Sequence, residues 1–260
     1  MVANGIYRET IRVEGALLER VEATQRPDGT IAVAAQSEAG VERIRFALGL
    51  DDDHSEFLRR FAGDALLGAT LKQLRGLRPM RTGTVAQSLL RAVAGQLIKA
   101  SRAREIERTV IRAAAPKLGD LHAAPTCAEL GRFSTAELAK LGLGARRAGA
   151  LVRLCRSLDL ERLRTQPTHA AAARLERERG LGPWSIGIVC LQGLGRYERG
   201  LQRDLGLIKL ASALAGRWVE AEESDELLVP YGEWAGLASV YLLAGFARGL
   251  IPLPDARVAA

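Results

Sequence analysis

Cysteine is scarce in this sequence, with Cys127, Cys155 and Cys190 the only three in 260 residues. They lie far apart, so they form neither a disulfide framework nor a CxxC metal pair, and they are too few for a four-cysteine iron-sulfur cluster. All three read as core thiols. Histidine is equally rare. His54, His122 and His169 have no partner carboxylate at ligand spacing, so no metal site is expected from side chains, and surface or loop positions are expected for all three. No apolar run approaches the ~20 residues of a membrane span. The opening MVANGIYRETIRVEG lacks a basic stretch followed by an apolar core, so no signal peptide is read and a cytoplasmic protein is expected. The motifs GxxxxGK[ST], HExxH and GxSxG are missing, which removes the usual NTPase, zincin and serine hydrolase readings.

What the sequence does carry is charge of uneven distribution. Lys and Arg number 37 against 30 Asp and Glu, a net charge of +7, beside a hydrophobic share of 48% that suits an ordered globule. Residues 81–217 hold 24 of the cations and only 11 of the anions, so the positive excess lies in the middle of the chain. A polyanionic partner fits this pattern, and so do arginines on solvated helix faces.

The first fifty residues read as strands. Ile44, Phe46 and Leu48 alternate with charged residues in VERIRFALGL, and TIAVAA follows a Pro27-Asp28-Gly29 turn. After Asp53 the period becomes helical, with Phe57, Leu58, Phe61, Leu66 and Leu67 in register, until Arg75-Gly76-Leu77-Arg78-Pro79 breaks it. A boundary is expected there, dividing an N-terminal sheet domain, 1–78, from a helical domain, 79–260. Ser134 and Glu137 have capping-box spacing, and Leu151, Leu154, Cys155 and Leu158 share one helix face, which leaves Arg146, Arg147, Arg153 and Arg156 for solvent or phosphate.

The richest stretch is LERERGLGPWSIGIVCLQGLGRYERGLQRDLGLIKL, residues 175–210. It reads as helix, tight turn, helix. Gly180 and Gly182 are both able to take positive φ, and Pro183 suits the first turn of the second helix. Amides at such a turn grip a phosphate without reading base sequence, although an ordinary helix–helix turn accounts for the glycines as well. Asp204 follows some twenty residues later, and by itself it reads as a helix N-cap.

Together, the hairpin, Asp204, an aliphatic residue three positions on and Lys209 five positions on resemble the helix-hairpin-helix DNA glycosylase superfamily. The likeness runs over about residues 40–250 and is greatest to the 3-methyladenine DNA glycosylase II branch. It implies an α+β protein: a small N-terminal antiparallel sheet domain followed by a larger all-helical domain, with the hairpin at about 170–195. It makes Asp204 the catalytic residue. Trp184 and Trp234 fall where the family places aromatics in the base pocket, with Ile188 where a second aromatic is common and Ala235 where an arginine usually follows the tryptophan. Gln96 and Leu97 fall in the segment that plugs the gap left by an extruded base, with Leu97 the wedge; packing in the core is the plainer reading of that leucine. Gly180, Gly182, Arg203 and Lys209 are the further DNA contacts, and Trp218 is assigned to the core.

Bifunctional relatives carry a lysine where this chain has Trp184, so no Schiff base is expected and water becomes the nucleophile. The expected activity is a monofunctional glycosylase that flips a damaged, alkylated base from duplex DNA and leaves an abasic site. The alternatives are a glycosylase for deaminated or oxidised bases and a non-catalytic hairpin DNA-binding protein. No organic cofactor is expected; the resemblance allows a monovalent metal ion on the hairpin carbonyls. A nucleoid-associated monomer working on damaged duplex DNA, without a membrane, completes the expectation.

Overall fold

The computed structural model describes residues 2–3, 5–13 and 17–254. Four strands, β1 (Val2–Ala3), β2 (Ile6–Arg12), β3 (Leu18–Gln25) and β4 (Ile31–Ala34), form one antiparallel sheet in chain order. β2 and β3 pair from Ile6 opposite Thr24 to Arg12 opposite Leu18. Alternation along these strands puts Tyr7, Ile11, Val21 and Ala23 on one face. Ile44 and Ala47 of α1 (Glu38–Leu48) cover that face.

This helix corrects the strand expected at VERIRFALGL. Ser37 caps its start, the hydroxyl accepting from the Gly40 amide at 3.1 Å, and Gly49 ends it. Between those signals burial follows the helical interval through Gly40, Ile44 and Ala47. Phe46, the residue that suggested alternation, lies off this face and receives the guanidinium groups of Arg43, Arg81 and Arg164 at 4.7 to 5.5 Å.

The packing also divides at a different place from the expected boundary at 78. The sheet's apolar cluster ends at Leu50, whereas Phe57 of α2 (Ser55–Arg60), Phe61, Leu67 and Leu71 of α3 (Gly68–Gln73) join Leu207, Leu210, Tyr231 and Tyr241. Two such short helices cannot bury their own apolar faces, so they borrow the distant end of the chain. His54, expected at a surface or loop position, lies in the loop before α2 and is buried.

The helical part has α4 (Val85–Gly95), α5 (Ala100–Ala114), α6 (Cys127–Gly131), α7 (Thr135–Lys140), α8 (Ala145–Ser157), α9 (Thr168–Glu176), α10 (Pro183–Ile188), α11 (Leu205–Ala215) and α12 (Ala235–Ala247). The capping box at Ser134 and Glu137 is formed, and Thr126 with Glu129 makes a second. Strand structure returns once, in the pair Lys117–Leu118 and Leu121–His122, which touches the sheet through a bridge from Ala123 to Thr10. α10 runs on into a wider turn of π geometry, Val189–Leu194.

α4 and the α10 run form the spine between two apolar clusters. Leu89, Val93, Ile186 and Val189 face one cluster, while Ala92, Ile188 and Leu191 face the other. The helical run Glu223–Ala247 is long and apolar enough by composition to cross a bilayer, contrary to the sequence reading. It is broken at Gly232, and Leu228, Tyr231, Leu237 and Tyr241 along it are core residues.

Candidate active site

A cleft of about 1770 Å³ opens along the spine, and its lining includes Gln96, Leu97, Gly182, Trp184, Ile188 and Asp204. It exceeds the ~300–1,000 Å³ of an ordinary small-molecule pocket, so it has room for more than a single detached ring.

The hairpin lies at its rim. Gly180 has φ +97°, a value that strains any side-chain-bearing residue, and Gly182 takes an extended φ of −95°; one positive φ, not two, makes the turn. Leu181 plugs into the core between them. Gln96 ties the loop after α4 to this hairpin, its Nε2 donating to the Gly180 carbonyl at 2.9 Å and to the Ser185 hydroxyl at 3.1 Å. The first amides of α10 lack acceptors within their own helix, as at any helix start.

Asp204 is both a cap and a cleft residue. Its Oδ1 accepts from the Gly206 amide at 2.7 Å at the start of α11, and its Oδ2 accepts from Trp184 Nε1 at 2.8 Å. Each carboxylate oxygen keeps unshared acceptor capacity. The indole that orients it rests on bare backbone: a Cβ on Gly95 would lie 2.6 Å from Trp184 Cη2.

Among the described residues only Leu97 and Arg203 combine a side chain with positive φ, 57° and 60°. Holding a non-glycine residue there costs about 1–2 kcal/mol, and such strain collects at functional sites. Both flank the cleft. Leu97 is fully exposed, which removes the reading of it as core. Its loop is held by Arg147, whose Nη1 donates to the Ala94 and Gln96 carbonyls at 3.1 Å, while Ile98 packs on the core beyond it.

Other expected residues lie elsewhere. Trp234 does not line the cleft; it sits with Tyr197 at 6.2 Å, Phe57 at 5.7 Å and His54 at 6.4 Å between ring centroids. Trp218 is 59% exposed rather than core. Arg203 lines the cleft but faces Glu222 at 2.8 Å and Asp225 at 3.4 Å, so its charge is already paired. Lys209 is exposed on α11, outside the cleft lining. Of the arginines expected to be free on α8, Arg147, Arg153 and Arg156 donate to backbone carbonyls. Two hairpin-side carbonyls are likewise engaged, Arg179 by the Arg153 guanidinium and Gly180 by Gln96.

The cleft also contains residues that the sequence reading passed over. Gly95, Ser185, Arg91 and Gln192 all line it. A signal for Gln192 was present, because 184, 188 and 192 are spaced by four along one helical run.

No family model matches the chain. It is 25% identical over 214 residues to the DNA-3-methyladenine glycosylase of Bacillus subtilis, an alignment that covers 78% of this chain and 70% of that protein. Among solved structures it superposes on a 3-methyladenine DNA glycosylase from Archaeoglobus fulgidus with a TM-score of 0.84 at 23% identity, over 95% of this chain and 89% of that one. An 8-oxoguanine glycosylase/lyase from Clostridium acetobutylicum, solved with duplex DNA, follows with a TM-score of 0.76 at 19% identity, over 93% and 88% of the two chains.

Proposed function

We propose that this chain is a helix-hairpin-helix DNA glycosylase of the 3-methyladenine DNA glycosylase II branch, which hydrolyses the N-glycosidic bond of a damaged, alkylated base in duplex DNA. The observation that carries the proposal is Asp204, a carboxylate anchored through both oxygens at the head of α11 with spare lone pairs in a cleft large enough for a nucleotide.

The hairpin and the first amides of α10 hold a phosphate of the DNA backbone. Leu97, exposed and fixed on a fastened loop, enters the stack as the nucleotide swings out and replaces part of a stacking loss of a few kcal/mol. A base alkylated at a ring nitrogen often bears positive charge, and the Trp184 ring attracts it by ~0.5–2 kcal/mol. Asp204 then stabilises the oxocarbenium charge on the sugar and orients or deprotonates the attacking water. Such a base departs readily, so the site needs little general-acid chemistry.

The reaction ends with an intact strand. Trp184 stands where lyase relatives resemble this chain but carry lysine, and Lys99 is the one lysine among the described cleft residues, just past the wedge loop. The enzyme acts as a monomer. Capping α11 takes only one oxygen of Asp204, and the second is held by Trp184 in the cleft, which disfavours the non-catalytic reading. The test is incubation with duplexes containing 3-methyladenine, 7-methylguanine or hypoxanthine, scoring free base and strand integrity separately. Base release with strand breakage only after alkali is expected, and borohydride should trap no covalent adduct. Tight binding without release of any base would end the proposal, and breakage without alkali would end its monofunctional part.

A further inference from the structure

We propose that Gln192 and Arg91 form a hydrogen-bond-donor edge at the inner end of the cleft, which takes a carbonyl oxygen of the extruded base and favours damaged bases bearing a carbonyl where adenine has an amine. The inference rests on the glycosylase reading above and names the substrate class of that same site.

Trp184, Ile188 and Gln192 succeed one another at four-residue intervals along α10 and its π continuation, and all three line the cleft with Asp204. A π turn within a helix is itself frequent at functional sites. Gln192 Oε1 accepts from Arg91 Nη1 at 2.7 Å. Arginine offers only donors, so the carboxamide oxygen must face it and the NH₂ group must turn away. Among the described residues nothing accepts from that Nε2.

Arg91 is itself fixed. Its Nε and Nη2 donate to the Glu107 carboxylate over 2.9 to 3.1 Å, and Gln87 Nε2 adds a contact at 3.4 Å to the same buried group. Glu107 is thus occupied by donors and its charge balanced. The free Nε2 of Gln192 makes this end of the cleft offer an N–H donor beside the Arg91 guanidinium.

Gln192 lies about 12 Å along the helical run from Trp184; its side chain leans back towards the helix N-terminus, and the far edge of a base with its sugar at Asp204 and its ring against Trp184 points down the run to meet it. Guanine-type purines carry an oxygen acceptor at position 6, and adenine carries an amine donor there. The oxygen completes the donor edge, whereas the amine sets N–H against N–H and leaves both unpaired.

The test compares kcat/KM for release of hypoxanthine and 7-methylguanine, which have the carbonyl, with 3-methyladenine, which has the amine. Wild type, Gln192→Leu and Gln192→Glu are measured, with melting temperatures to confirm folding. Gln192→Leu should lower release of both carbonyl bases by about three- to tenfold, the worth of one hydrogen bond, and should not slow 3-methyladenine, which loses an unfavourable N–H neighbour. Gln192→Glu still meets Arg91 but turns an acceptor to the cleft, so it should shift the ratio further towards 3-methyladenine. Equal falls for all three bases, or no change in either variant, would overturn the inference while leaving the glycosylase reading intact. Wild-type protein that releases none of the three would overturn both.

Discussion

Gly95 and Leu97 are two residues apart and make opposite demands on their side chains. At Gly95 the demand is for none, because the Trp184 ring occupies the space of a Cβ. Alanine normally stabilises a helix by ~0.5–1 kcal/mol over glycine. Here Gly95→Ala should displace the indole, loosen its hydrogen bond to Asp204 and slow base release about tenfold or more, since small misplacements at a reacting centre are costly. Single-turnover base release checks this, and wild-type rates in a folded variant would refute it. Leu97 touches no core, so Leu97→Ala should leave the melting temperature unchanged. Its effect should be a fall of about tenfold in release from duplex, with release from single-stranded DNA unaffected, because only a duplex has a stack to fill. The resemblance singled out Asp204, Trp184 and Leu97, and the three line one cleft; local pattern alone reads Asp204 as a helix N-cap and Leu97 as core. The setting of Trp234 was not legible in the sequence, since its neighbours His54, Phe57 and Tyr197 come from segments far away. Nor was the pairing of Arg203, whose carboxylates lie 19 and 22 residues downstream.

At the scale of elements, the sheet, the two-part architecture and the helix-rich remainder follow from periodicity and turn residues. α1 was hidden by three residues that happen to alternate, and its cap, Ser37, is the signal that outweighs them. α2 and α3 precede the break at residues 75–79 yet pack with the C-terminal helices: sequence marks where a helix breaks, and packing decides which core it joins. That packing buries His54, and burial first, then the charges of Arg78 and Arg81, push its pKa below the ordinary value of 6.5, against the pull of Asp52 and Asp53. The unfolded chain therefore binds this proton first as pH falls. The corresponding stability is complete above about pH 6.5 and is lost as pH drops from there through the folded pKa. Melting temperatures of wild type and His54→Gln between pH 5 and 8 should diverge on the acid side, with the wild type falling more steeply; parallel curves would contradict this.

For the whole molecule, the basic middle of the chain becomes a surface of known direction. Arg104, Arg108 and Arg112 repeat at four-residue spacing on α5, line the cleft and have no partner among the described residues. If they follow a phosphate backbone, Arg108→Ala should reduce the slope of log K against log salt for duplex binding by about 0.9 without altering stability. An unchanged slope would place that arginine off the DNA. The central claim, however, concerns chemistry, and one substitution isolates it. Asparagine caps a helix as well as aspartate does, but its NH₂ group cannot accept from Trp184 Nε1, so Asp204→Asn should stay folded, lose stability worth one hydrogen bond, about 0.5–1.5 kcal/mol, and still bind damaged duplex. Its single-turnover release of 7-methylguanine should fall by about a hundredfold or more. Release at the wild-type rate by this folded variant would contradict the account.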